Sequence, residues 1–250
     1  MQPSDLEHVR APEPPAPTGR AAATRPAVVT GLLMALVAAA LLTWRVVAGN
    51  GDPTVLDDAL NTFTRGWADA RDWPVDVALV IGRSTSPIPS TIVACVAVIV
   101  LALRDARQAA AVIAASAITG ALVSQVVKLA VGRQRPPSAE PYASDLLKSF
   151  PSGHAMTGIY LYLLLGLVLL HLGAHRGSPW LRRVGVTLVA LGPVLGLSRL
   201  VLGVHWPLDV LGGWAYGSAV ALASALALWW RLDLGWDAGT NGPAPPAAGP

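Results

Sequence analysis

Apolar stretches about as long as a bilayer is thick recur along this chain, separated by polar turns: Ala27–Val47, Ile88–Leu103, Ala109–Val131, Ala155–Leu172, Leu181–Leu197 and Pro207–Trp230. A helix needs about 20 apolar residues to cross the hydrocarbon, and lipid forces every backbone polar group to find its partner within the segment. The pattern therefore predicts an all-α chain, a polytopic membrane helical bundle with six transmembrane helices. Composition points the same way. Hydrophobic residues make up 53% of the chain and charged residues only 13%, against roughly 25% charged in soluble domains.

A net charge of +3 on so few charged residues outlines no nucleic-acid surface. The single cysteine, Cys95, excludes an internal disulfide and is expected to pack inside the second span. Residues 1–26 and 233–250 are rich in Pro, Ala and Gly. They cannot bury enough apolar surface to offset their ordering entropy and are read as flexible tails flanking a membrane domain at 27–232.

Two loops are long, Ala48–Pro87 and Gly132–His154. In the first, Val55, Leu56, Ala59, Leu60, Phe63 and Trp67 recur at helical spacing while Asp57, Asp58, Asn61 and Arg65 fall elsewhere. This predicts an amphipathic helix lying on the extracytoplasmic surface, as an anchor rather than a lid. Trp44, Trp180, Trp206, Trp229 and Trp230 stand near span ends, where amphipathic rings prefer the headgroup region. Lys and Arg divide evenly between the two sides until Lys128, Arg133, Arg135 and Arg199 are set aside as having a chemical task. The remainder then places both termini in the cytoplasm.

Ionisable residues at span ends are costly and usually functional. Three clusters fall on one side of the bundle: Lys128 with Arg133 and Arg135, where Gly132 and two prolines end the third span; Phe150-Pro151-Ser152-Gly153-His154, opening the fourth; and Ser198-Arg199 followed by His205 and Asp209, flanking the sixth. Each has a plain reading when taken alone: cations complementing a helix C-terminus, a Ser-capped helix start, an interfacial His–Asp pair. Together, cations and free helix N–H groups call for a highly charged anion, and phosphate is the obvious one. Spaced four apart, His205 and Asp209 can meet across one helical turn. A carboxylate on one ring nitrogen leaves the other exposed as a nucleophile, and a second histidine suits a general acid.

In order and spacing, Lys128 to Pro136, Pro151 to His154 and Ser198 to Asp209 resemble the three-part signature of the type-2 phosphatidic acid phosphatase superfamily, the lipid phosphate phosphatases, in its integral-membrane bacterial branch. The resemblance implies a two-step dephosphorylation that needs no metal or other cofactor. His205 would attack phosphorus and form a phosphohistidine, with Asp209 orienting its ring. His154 would protonate the leaving oxygen and then activate water. Lys128, Arg135, Ser152, the Gly153 N–H and Arg199 would hold the phosphate oxygens. Arg133 would be a secondary contact or a headgroup-facing cation. The implied partners are the bilayer and a lipid phosphate: a polyprenyl (undecaprenyl-type) diphosphate, phosphatidic acid or phosphatidylglycerol phosphate. The implied location is the plasma membrane, with the site facing outward. Two alternatives stay open, a lipid phosphotransferase using the same phosphohistidine and a non-catalytic lipid-phosphate-binding protein.

Overall fold

The first span is longer than the sequence pattern suggests. In the computed structural model, which describes residues 19–139, 142 and 148–232, helix α1 runs Gly19–Ala48 and its apolar part is Pro26–Ala48. Residues 19–26, expected as the end of a flexible tail, are thus already helical; the rest of both predicted tails lies outside the described residues. The remaining helices are α2 (Val55–Asp69), α3 (Pro74–Ser84), α4 (Pro87–Leu103), α5 (Arg107–Val131), α6 (Gly153–His175), α7 (Pro179–Val201) and α8 (Pro207–Leu232).

Five of these, α1, α5, α6, α7 and α8, are long and apolar enough to cross a bilayer singly. The simple span expected at Ile88–Leu103 is not found as such. That segment, α4, reaches crossing length only together with α3, from which it is bent by 53°. The physical cause is Pro87 at the first turn of α4, which lacks the N–H needed to continue a helix from α3. Thus the loop read between Ala48 and Pro87 holds two helices, of which only α2 was legible. Cys95, expected inside the packing, is exposed on α4.

Small residues let the spans approach closely. A Cβ on Gly158 would lie 2.1 Å from the Gly192 carbonyl oxygen, and one on Gly185 would lie 2.9 Å from that of Gly166. Such contacts are how helices associate where no hydrophobic driving force separates them from lipid. They seat α6 against α7 along its length, with a π-helical stretch at Gly158–Leu163. In turn α1 packs on α8, and α3 on α7. Tyr160 and Tyr162 are buried in the central cluster with Ile113, Met156 and Leu195. Trp44 and Trp180 are exposed near span ends, as expected of interfacial rings, whereas Trp206 is buried.

Candidate active site

Four helix ends meet at one end of the bundle: the C-termini of α5 and α7 and the N-termini of α6 and α8. Alternating spans require this, and the result is that all three sequence clusters converge. Gly132 ends α5 in the left-handed conformation, φ 68°, which a side-chain-bearing residue adopts only at a cost. The chain then turns across the top of the bundle, carrying Arg133 and Arg135 toward the start of α8.

His205 lies in the short link between α7 and α8 and is buried. Its Nδ1 is 3.4 Å from Asp209 Oδ2. That oxygen also accepts the Trp206 N–H at 2.8 Å and the Ser149 hydroxyl. The other ring nitrogen, Nε2, is 3.3 Å from Arg135 Nη1, which donates to the Val204 carbonyl at 2.6 Å as well. Burial, helped by the charges of Arg135 and Lys128 and opposed by Asp209, pushes the His205 pKa down to about 3. The ring is therefore neutral at physiological pH. With the Nδ1 proton directed at a carboxylate, Nε2 carries its electron pair toward Arg135.

His154, in the first turn of α6, is within electrostatic reach of Arg199, Arg135 and Lys128. Its Nε2 is 3.1 Å from the Gly82 carbonyl of α3. A carbonyl can only accept, so Nε2 bears a proton and Nδ1 is the nitrogen left to take up another. Arg199, also buried, donates to Ser198 Oγ at 3.1 Å and to the Ala78 carbonyl at 3.0 Å. Its guanidinium occupies the space that a side chain at position 82 would need. Lys128 donates to the Lys148 carbonyl at 2.8 Å and passes beside Gly153.

Ser152 takes the N-cap position of α6, but its hydroxyl makes no capping bond. Among the described residues its buried Oγ has no hydrogen-bond partner, an arrangement that costs free energy unless a ligand completes it. The structure thus brings together every residue singled out in the sequence: His205, His154, Asp209, Lys128, Arg135, Ser152, Gly153 and Arg199.

Arg133 does not face the headgroups. It is 1% exposed, paired with Asp209 Oδ1 and Asp57 Oδ2 at 2.7 Å each, and its guanidinium lies 5.7 Å from the ring centre of Trp206. Trp206 is therefore covered by the site rather than serving the aromatic belt; its Nε1 donates to the Gln134 carbonyl. Sequence reasoning also passed over Asp57, Ser149 and the α3 carbonyls. Only Asp57 left a trace, an acid off the apolar face of α2. Beside His154 opens a cavity of about 440 Å³, walled by Arg199, Gly82, Arg83, Leu79 and Leu202 among others.

Fold and site together define a class: polytopic helical membrane proteins with a cation-rich, two-histidine pocket at one end of the bundle. The PAP2 superfamily profile matches residues 108–233, and this chain belongs to that superfamily. A phosphatidylglycerophosphatase B of Bacillus subtilis is 33% identical over 103 residues, 40% of this chain and 48% of its own. An undecaprenyl-diphosphatase of Sulfolobus acidocaldarius is 30% identical over 136 residues, 52% of this chain and 60% of its own. A decaprenylphosphoryl-5-phosphoribose phosphatase of Mycobacterium tuberculosis is 33% identical over 136 residues, 50% of this chain and 68% of its own. The chain spans about half the length of the first two relatives. The fold is that of the crystal structure of a transmembrane PAP2 type phosphatidylglycerolphosphate phosphatase from Bacillus subtilis, with TM-score 0.61 and 21% identity over 82% of this chain and 96% of that one.

Proposed function

We propose that this protein is a membrane lipid phosphatase that works through a phosphohistidine on His205, without a metal ion, at the outer face of the plasma membrane. The observation that carries the reading is the buried, neutral His205, with Asp209 at Nδ1 and Nε2 turned to the cation cluster. In the first step Nε2 forms a bond to phosphorus as the bond to the leaving oxygen breaks, and Nδ1 of His154, which takes up a proton once the bound phosphate offsets the charges of Arg199, Arg135 and Lys128, donates that proton to the leaving oxygen. Asp209 stabilises the charge that builds on the His205 ring. In the second step His154 takes a proton from water, the water oxygen bonds to phosphorus, and the P–N bond breaks to release phosphate.

Lys128, Arg135, Arg199, the Ser152 hydroxyl and the Gly153 N–H bind the three equatorial oxygens, where transition-state charge is spread. Arg135, whose Nη1 stands 3.3 Å from His205 Nε2, turns onto the phosphate when substrate binds.

The cavity beside His154 supports a choice among substrates. In-line displacement puts the leaving group on the side away from His205, toward His154 and this cavity. Arg83 on its wall suits a leaving group that keeps a phosphate of its own, and Leu79 and Leu202 suit the chain beyond it. Polyprenyl diphosphate and phosphatidylglycerol phosphate leave such an anion; phosphatidic acid leaves a neutral diacylglycerol. Three of the relatives are named for acting on phosphatidylglycerophosphate, undecaprenyl diphosphate and decaprenylphosphoryl-5-phosphoribose.

The test is phosphate release by the purified protein in detergent with EDTA, from polyprenyl diphosphate, phosphatidylglycerol phosphate and phosphatidic acid in parallel, with His205→Ala as blank. Release that survives EDTA and disappears in the blank supports the mechanism, and faster release from the first two lipids supports the leaving-group assignment. Release that persists in His205→Ala, or that EDTA abolishes, refutes the mechanism.

A further inference from the structure

Asp57 belongs to α2, the surface helix, yet its carboxylate is completely buried. It does three things at once. Oδ2 accepts the Thr54 N–H at 3.0 Å, while Thr54 Oγ1 accepts the Asp57 N–H, so the pair closes a capping box on α2. The same oxygen takes the Arg133 guanidinium at 2.7 Å. Oδ1 accepts the Leu208 N–H at 2.9 Å, in the first turn of α8 and one residue before Asp209. Arg133 completes the bridge by donating to Asp209 Oδ1 at 2.7 Å and to the Gly51 carbonyl at 3.1 Å. A chain of buried charge therefore runs from Asp57 through Arg133 and Asp209 to His205.

We infer that Asp57 and Arg133 are positioning residues for the nucleophile: they hold the Asp209 carboxylate at the His205 ring, and so make α2 a working part of the site rather than an anchor alone.

Packing alone does not account for this arrangement. A buried ion pair roughly balances its desolvation cost and adds little net stability, so it is a poor device for merely fixing a loop. Asp209 is a shared acceptor. One oxygen faces His205, Ser149 and the Trp206 N–H; the other has Arg133. Arg133 thereby sets the rotation of the carboxylate, and Asp57 fixes Arg133 from the far side. The outer face of α2 is apolar and exposed, with Val55 and Phe63 prominent. The helix that seats on the lipid surface is the one that carries Asp57.

This inference rests on the phosphohistidine reading, and its test separates the two. Asp57→Asn is made in the wild type and in Asp209→Asn. The expected outcome is a kcat lowered about 30-fold or more in the wild-type background with KM within about threefold, and a further loss under about threefold in Asp209→Asn, because the residue acts through a carboxylate already gone. Arg133→Lys, which keeps the charge but loses the fork, carries the same comparison where Asp57→Asn fails to fold. An equal factor in both backgrounds overturns the inference.

A second readout needs no turnover. In protein labelled with ¹⁵N-histidine, the His205 Nδ1 proton is expected as a slowly exchanging resonance in the wild type and as a fast-exchanging one in Asp57→Asn. A resonance unchanged in Asp57→Asn also overturns the inference. Failure of the wild type to release phosphate speaks against the phosphatase reading and leaves this measurement standing.

Discussion

Replacing Gly82 with alanine tests the site through a residue that contributes no side chain to it. The added Cβ would lie 2.2 Å from one Arg199 guanidinium nitrogen, 2.6 Å from the other and 2.7 Å from Cζ. Ordinary contact begins near 3.4 Å, so the guanidinium must withdraw by about 1 Å, and a displacement of that size at a positioning group costs on the order of 100-fold in rate. The atoms that must move are the far end of a flexible side chain, not backbone, so the fold should survive. The bond from Arg199 Nη2 to the Ala78 carbonyl, 3.0 Å, is stretched or lost. His154 is affected less, because its Gly82 contact is to a carbonyl that stays in place.

The assay is single-turnover phosphate release in detergent, with thermal melting run alongside. Gly82→Ala is expected to lose about 100-fold in rate with a melting temperature within a few degrees of wild type. Combined with Arg199→Ala it should add little, since the two substitutions remove the same interaction. A wild-type rate in Gly82→Ala, or a full multiplicative loss in the double variant, would refute the argument that α3 shapes the site through Arg199.

Two further outcomes follow from burial and packing. His205 is held near a pKa of about 3 in the folded protein against roughly 6.5 unfolded. The unfolded chain therefore binds the extra proton as pH falls below about 6.5, and the fold should lose stability with a slope of up to about 1.4 kcal/mol per pH unit until pH approaches the folded value. Melting curves between pH 7 and pH 4 should fall more steeply for wild type than for His205→Gln, and parallel curves would rule out this contribution. At the α6–α7 contact, Gly158→Ala puts a Cβ 2.1 Å from the Gly192 carbonyl oxygen. Backbone cannot step aside as a side chain can, so the helices must part at a cost of about 1–3 kcal/mol; an unchanged melting temperature would show that the contact is not rigid.

The sequence alone determined that the chain is a membrane bundle and that its three motifs share one end. Both follow from near-neighbour rules: apolar length decides what can cross lipid, and alternating spans decide which helix ends meet. The His205–Asp209 pair was legible for the same reason, because four residues make one helical turn. The tertiary structure alone decided what holds those groups in place. Gly82 and His154 stand 72 residues apart, Ala78 and Arg199 121, and Asp57 and Arg133 76. Over such separations no periodicity or spacing records a contact. Asp57 reads as a solvated acid on an amphipathic helix until α2 folds over the start of α8, and Arg133 reads as a secondary contact or a headgroup cation until two carboxylates enclose it. Burial of a charge depends on what covers it, and that is a property of the assembled fold.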